Sequence, residues 1–212
     1  MTQRDLFIFD DLPVQSVELI ELEGGELLWV RHFLSPTEAS KLFEYLMETT
    51  NWRQDSINIA GKSIPIPRLQ AWIGDAAYTY SGLTLEPTPW PAQLLQLKSD
   101  LEEYCDCQFN SLLINLYRDE SDSVGWHADN EEELGKNPTI ASVSLGAPRA
   151  FELKQKHASK QKLSLTLNSG DLLIMKNEVQ ENWLHQVPKQ KPPSEPRINL
   201  TFRRIIHETT VK

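Results

Sequence analysis

From Ser111 to Ile206 the chain breaks into eight short stretches of strand character, and no other feature restricts its fold as much. They are Leu112–Tyr117, Val124–His127, Thr139–Leu145, Ala150–Lys156, Lys162–Leu167, Asp171–Met175, Trp183–Val187 and Arg197–Ile206. Turn signals part them at Gly135-Lys136-Asn137-Pro138, Gly146-Ala147-Pro148, Asn168-Ser169-Gly170-Asp171 and Lys191-Pro192-Pro193-Ser194-Glu195-Pro196. Lys162–Leu167 alternates polar with apolar, so one of its faces is buried. Eight such strands after two helices predict a mainly β fold with flanking helices. Its core is a double-stranded β-helix (jelly roll) behind an N-terminal helical and strand cover.

The cover is less regular. Residues 1–25 are acidic and read as an irregular arm, followed by a strand at Glu26–Phe33. Ser35-Pro36-Thr37-Glu38 is a helix start, with Ser35 as cap, Pro36 in the first helical position and Glu38 closing a capping box. Ala39, Leu42, Phe43 and Leu46 then form a stripe at helical spacing, ending before Asn51. A second helix begins near Pro91, with Leu94, Leu97, Leu101 and Tyr104 on one face, and both helices are expected on the outside of a sheet. The reading is one domain over 26–212, divided into a cover part (26–110) and a jelly-roll core (111–206).

The formal net charge of −9 speaks against a generic nucleic-acid binder. The charge is segregated, however. Residues 151–212 carry 11 Lys and Arg against 6 Asp and Glu, and the field near a cleft matters more to an anion than the total. Cys105 and Cys107, separated only by Asp106, read as free thiols suited to a reducing compartment. With no secretion signal and no 18-residue apolar run, the expectation is a monomer off the membrane, cytoplasmic, or nuclear in a eukaryote.

Three residues stand out as metal ligands. His127 and Asp129 are two positions apart and share a face if their strand continues, and His185 lies on another strand. Two imidazoles and a carboxylate leave coordination positions open. In Arg197-Ile198-Asn199-Leu200-Thr201-Phe202-Arg203 the apolar residues share one face, while Arg197, Asn199, Thr201 and Arg203 share the other. A long apolar strand is central, and a polar face there needs partners. Two arginines point to a buried anion held through guanidinium forks. Asn115 and Tyr117, two apart on the strand before His127, supply further donors.

With these residues in view, the chain resembles the AlkB-type 2-oxoglutarate- and Fe(II)-dependent dioxygenases, the nucleic-acid demethylases. The matching stretches are Asn115-Leu116-Tyr117, His127-Ala128-Asp129, Pro138–Gly146, Gly170–Met175, His185 and Arg197–Arg203. Pro67-Arg68, Gly74-Asp75 and Tyr78–Gly82 fit upstream. The likeness spans 26–206 and is greatest to the branch with the vertebrate DNA-repair members. It implies Fe(II) on His127, Asp129 and His185. It implies 2-oxoglutarate with its far carboxylate on Arg197, assisted by Asn115 and Tyr117, and its chelating end steadied by Arg203. Asn199 and Thr201 complete that pocket, and O₂ takes the remaining position.

The implied reaction is oxidative demethylation of bases such as 1-methyladenine and 3-methylcytosine, in DNA repair, releasing formaldehyde and succinate. The target base must be unstacked first. Tyr78 and Tyr80 match base-contacting positions, and Arg68 lies in a matching stretch. Glu131 is placed to favour a cationic base. At Asn130 some relatives carry a carboxylate. Ala60 replaces a bulky wedge, which favours single strands. Lys154, Lys156 and Lys160, with His157 and Lys162, are expected to meet phosphates. The partner is alkylated DNA, with RNA as a second class. Two other readings are a related dioxygenase acting on RNA or a protein side chain, and a catalytically silent nucleic-acid-binding module.

Overall fold

A computed structural model describes residues 14–59, 62–75, 78–80, 83–85, 87–157, 161–191 and 193–206. In chain order the strands are β1 (Ser16–Leu22), β2 (Gly25–Arg31), β3 (Ser56–Ile59), β4 (Lys62–Pro65), β5 (Leu69–Gly74), β6 (Tyr78–Tyr80), β7 (Leu83–Leu85), β8 (Ser111–Tyr117), β9 (Val124–His127), β10 (Ile140–Gly146), β11 (Arg149–Gln155), β12 (Lys162–Leu167), β13 (Leu172–Asn177), β14 (Trp183–Val187) and β15 (Arg197–Arg203). The helices are α1 (Pro36–Thr49), α2 (Ala92–Cys105) and the short α3 (Val179–Asn182). A seven-stranded sheet in the order β1-β2-β13-β10-β15-β8-β5 faces a four-stranded sheet, β12-β11-β14-β9. Their pairings are antiparallel, as a jelly-roll core requires. All eight strands expected after Ser111 form within about two residues at each end, apart from the last, which stops at Arg203.

The large sheet is two-sided. Ile198, Leu200 and Phe202 of β15, Ile114 and Leu116 of β8, and Val143 and Leu145 of β10 share one apolar cluster with Ala39 and Leu46 of α1 and with Leu94, Leu97 and Leu101 of α2. The helices therefore cover the outer face, as their spacing predicts. Ser35 caps α1 in the expected box, reciprocated by Glu38. Each residue of β15 and of β8 is buried, so the second, polar face of β15 also points inward. Register places Asn199 beside Asn115 and Ser144, Arg197 beside Tyr117, and Thr201 beside Ser142.

Two expectations fail, and one group of strands was not anticipated. Ser16–Leu22, assigned to an irregular arm, pairs along its whole length with β2; its acidic residues obscured the strand because it is a largely exposed edge. Strands β3 to β7 have no counterpart in the reading above. β5 joins the large sheet with apolar residues on both faces, Leu69, Ala71 and Ile73 on one and Trp72 on the other, so its sequence lacks alternation. Tyr104 is exposed and meets Phe33 edge-on at 5.7 Å instead of entering the core. Ala60 lies outside the described residues. Among those residues, no helix is long and apolar enough to cross a membrane.

Candidate metal and dicarboxylate site

His127, Asp129 and His185 offer ligand atoms that all lie within 4.8 Å of one another. The first and last come from paired strands, in direct register across β9 and β14, with ring centroids 4.2 Å apart. The His127 Nδ1 is 2.8 Å from the Gly125 carbonyl, which can only accept. Nδ1 therefore carries the proton and Nε2 is left to bind metal. His185 is buried against Phe151. Burial, with His127 adding to it, pushes its pKa down to about 3, so it is a neutral ligand at pH 7.

Asp129 reaches the site differently from the strand argument. β9 ends at His127, and Asp129 is held by hydrogen bonds. Its Oδ2 accepts from Nε and Nη2 of Arg203, at 3.1 and 2.6 Å. Its backbone N–H donates to Oε1 of Gln180 at 2.9 Å. Oδ1, 3.7 Å from His127 Nε2, is left facing the cluster. Burial raises the Asp129 pKa, but Arg203 and then the two imidazoles outweigh it and hold the carboxyl below the usual range.

Behind the cluster lies a cavity of about 60 Å³, lined among others by Asn115, Tyr117, Ser142, Asn199 and Thr201. Arg197 packs beside this wall. Its Nη2 donates to Ser144 Oγ at 2.8 Å and to Asn199 Oδ1 at 2.7 Å. Its Nε and Nη1 are buried without a hydrogen-bond partner among the described residues. Burial lowers its pKa to about 10, which leaves it cationic at pH 7. A desolvated cation with two unused donors fits a carboxylate, and a His₂Asp set fits Fe(II). Iron and a dicarboxylate together account for both.

The other expected residues separate. Arg203 is committed to Asp129 here, while the resemblance placed it on the chelating end of 2-oxoglutarate. Arg68 is buried, donates to Asn115 Oδ1 at 2.7 Å, and lines both the inner cavity and an outer one of about 470 Å³. Asn130 and Glu131 line that outer cavity with His127, and Glu131 Oε2 is buried without a partner among the described residues. Lys154 Nζ lies 4.4 Å over the Trp126 ring. Lys156 turns back to donate to the Gln180 carbonyl at 2.9 Å. Tyr78 and Tyr80 fall on β6, but their side chains, like all of Lys160, lie outside the described residues.

Two contributors had no sequence signal. Arg149 is buried, and its guanidinium donates to the carbonyls of Asp119, Asp122 and Pro188, tying together the loops around Tyr117. Gln180, on the four-residue α3, joins Asp129 to Met175. Gln180→Leu leaves the Asp129 N–H unpaired, so Fe(II) affinity should fall about 10- to 100-fold, with Gln180→Glu retaining most of it. Metal titration of the folded variants checks this; equal affinities would remove Gln180 from the site.

Comparison with known proteins agrees with this geometry. Residues 26–203 match the family described as the 2OG-Fe(II) oxygenase superfamily. The chain is 44% identical over 182 residues to the Bos taurus alpha-ketoglutarate-dependent dioxygenase alkB homolog 3, covering 82% of this chain and 64% of that protein. It thus spans a little under two thirds of that relative. It is 37% identical over 181 residues to the Homo sapiens DNA oxidative demethylase ALKBH2, covering 80% of this chain and 69% of the other. The solved structure of OsALKBH1 superposes with a TM-score of 0.64 at 17% identity, covering 88% of this chain and all of that one, a likeness of fold. The chain therefore belongs to the 2OG-Fe(II) oxygenase superfamily, in its AlkB-type branch.

Proposed function

We propose that this protein oxidatively demethylates N-alkylated bases in nucleic acid, with single-stranded DNA as the substrate and repair of alkylation damage as its role. The observation that carries the base preference is Glu131. Among the described residues its Oε2 is buried without a partner, on the wall of the outer cavity that His127 also lines. A carboxylate so placed attracts a base made cationic by methylation and gains nothing from the neutral base.

Bound iron, with 2-oxoglutarate and O₂ as co-substrates, would supply the oxidising chemistry that turns an N-methyl group into one released as formaldehyde, leaving succinate and CO₂. The chain's own part is placement. His127, Asp129 and His185 would hold the metal, and Arg203 keeps Asp129 ionised. Arg197, Asn115 and Tyr117 would hold the dicarboxylate at the closed end. The outer cavity, which His127 also lines, would receive an unstacked base.

The test is incubation of single-stranded oligonucleotides carrying 1-methyladenine or 3-methylcytosine with protein, Fe(II), 2-oxoglutarate and O₂, followed by mass spectrometry. Loss of one methyl mass with matching succinate is expected, and Glu131→Gln should slow cationic lesions most. Iron-loaded protein that leaves all these lesions intact would reject the reading.

A further inference from the structure

Beside the metal ligands, on β9, are Trp126, which has no role so far, and Gly125, of which only the carbonyl has been used. Trp126 is half-buried, lines the outer cavity, and carries Lys154 Nζ 4.4 Å over its ring. Gly125 is exposed and lines the same cavity, and a Cβ added there would meet nothing within 4 Å. The indole is thus partly exposed among the residues that line the cavity, beside a backbone with no side chain to obstruct an approach and next to a cation.

We propose that Trp126, Gly125 and Lys154 form a subsite for the nucleotide adjacent to the target base, a proposal that rests on the nucleic-acid reading above. The indole stacks on the neighbouring base, as aromatic side chains do with single strands of any sequence. Gly125 lets the sugar-phosphate backbone pass close to β9. Lys154, already held against the indole, meets the phosphate between the two nucleotides. The inner cavity binds co-substrate, the outer cavity takes the target base, and its rim grips the strand that presents it. The subsite is indifferent to base identity and demands that the neighbour be unpaired, which makes single-stranded substrate its consequence.

The test compares a fluorescein-labelled trinucleotide with central 3-methylcytidine against 3-methylcytidine monophosphate. Affinities are measured without oxygen, with Fe(II) and 2-oxoglutarate present, so that nothing turns over. Wild-type protein should bind the trinucleotide more tightly. Trp126→Ala should reduce that advantage by about tenfold or more, with Trp126→Phe keeping most of it. Gly125→Val, whose Cβ meets nothing within 4 Å and whose carbonyl still faces His127, should reduce it through obstruction. Lys154→Gln should flatten the log–log salt dependence of trinucleotide binding by about 0.7. The subsite is overturned if Trp126→Ala and Gly125→Val both keep the wild-type ratio, or if wild type binds the two ligands equally. Failure of wild type to bind either ligand would instead reject the demethylase reading itself, so the two failures are distinct.

Discussion

Asp129→Ala is expected to abolish turnover and to lower stability at the same time. The carboxylate does two jobs. Oδ1 faces the histidines, and Oδ2 neutralises Arg203, which is itself buried. Removing one partner of a buried ion pair leaves the other uncompensated, a loss of about 3–5 kcal/mol, against a total stability of about 5–15 kcal/mol. A collapse in activity alone therefore says little. Asp129→Asn lessens this cost without removing it, because its amide oxygen still accepts from Arg203 although the guanidinium is no longer neutralised, while the negative ligand is gone. We expect Asp129→Asn to fold, to retain little Fe(II) by metal analysis, and to turn over 2-oxoglutarate at less than a hundredth of the wild-type rate. Full iron content with wild-type turnover would mean that the metal sits elsewhere.

Arg197→Met should behave in the opposite sense. Arg197 is buried, and among the described residues no acid partner holds it; its hydrogen bonds go to Ser144 and Asn199. Burial is the main cause of its lowered pKa, so its charge is a burden on the fold without co-substrate. A methionine of similar length removes that burden and forfeits two hydrogen bonds, and the two effects should cancel to within about 1 kcal/mol. The loss appears on binding. A buried charge pair truncated on one side loses about 2–5 kcal/mol, so the KM for 2-oxoglutarate should rise about 30-fold or more. Added 2-oxoglutarate should raise the Tm of wild type and not that of the variant. An unchanged KM would place the dicarboxylate anchor on another residue.

Gains and losses of sequence reading have the same physical origin. Period-two alternation in β15 correctly put Arg197, Asn199, Thr201 and Arg203 on one face, because a strand's side chains must alternate. The capping box at Ser35 was equally legible, since its hydrogen bonds close within four residues. β1 and β5 were not, because an exposed edge and a strand with apolar residues on both faces each erase the alternation. The His127–Asp129 spacing led to the right pair for an incomplete reason. The strand ends at His127, and Gln180 and Arg203, 51 and 74 positions away, place the carboxylate.

The sequence by itself determined the ligand types, the polar face of β15 and the order of strands, all of which depend on residue chemistry and local periodicity. The tertiary structure alone decided that Arg203 serves Asp129, that Arg197 keeps two unused donors, and that Lys154 lies on Trp126 while Lys156 turns inward to Gln180. A guanidinium's partner is set by which groups a closed double sheet brings within 3 Å of it, and that distance is written in no local pattern.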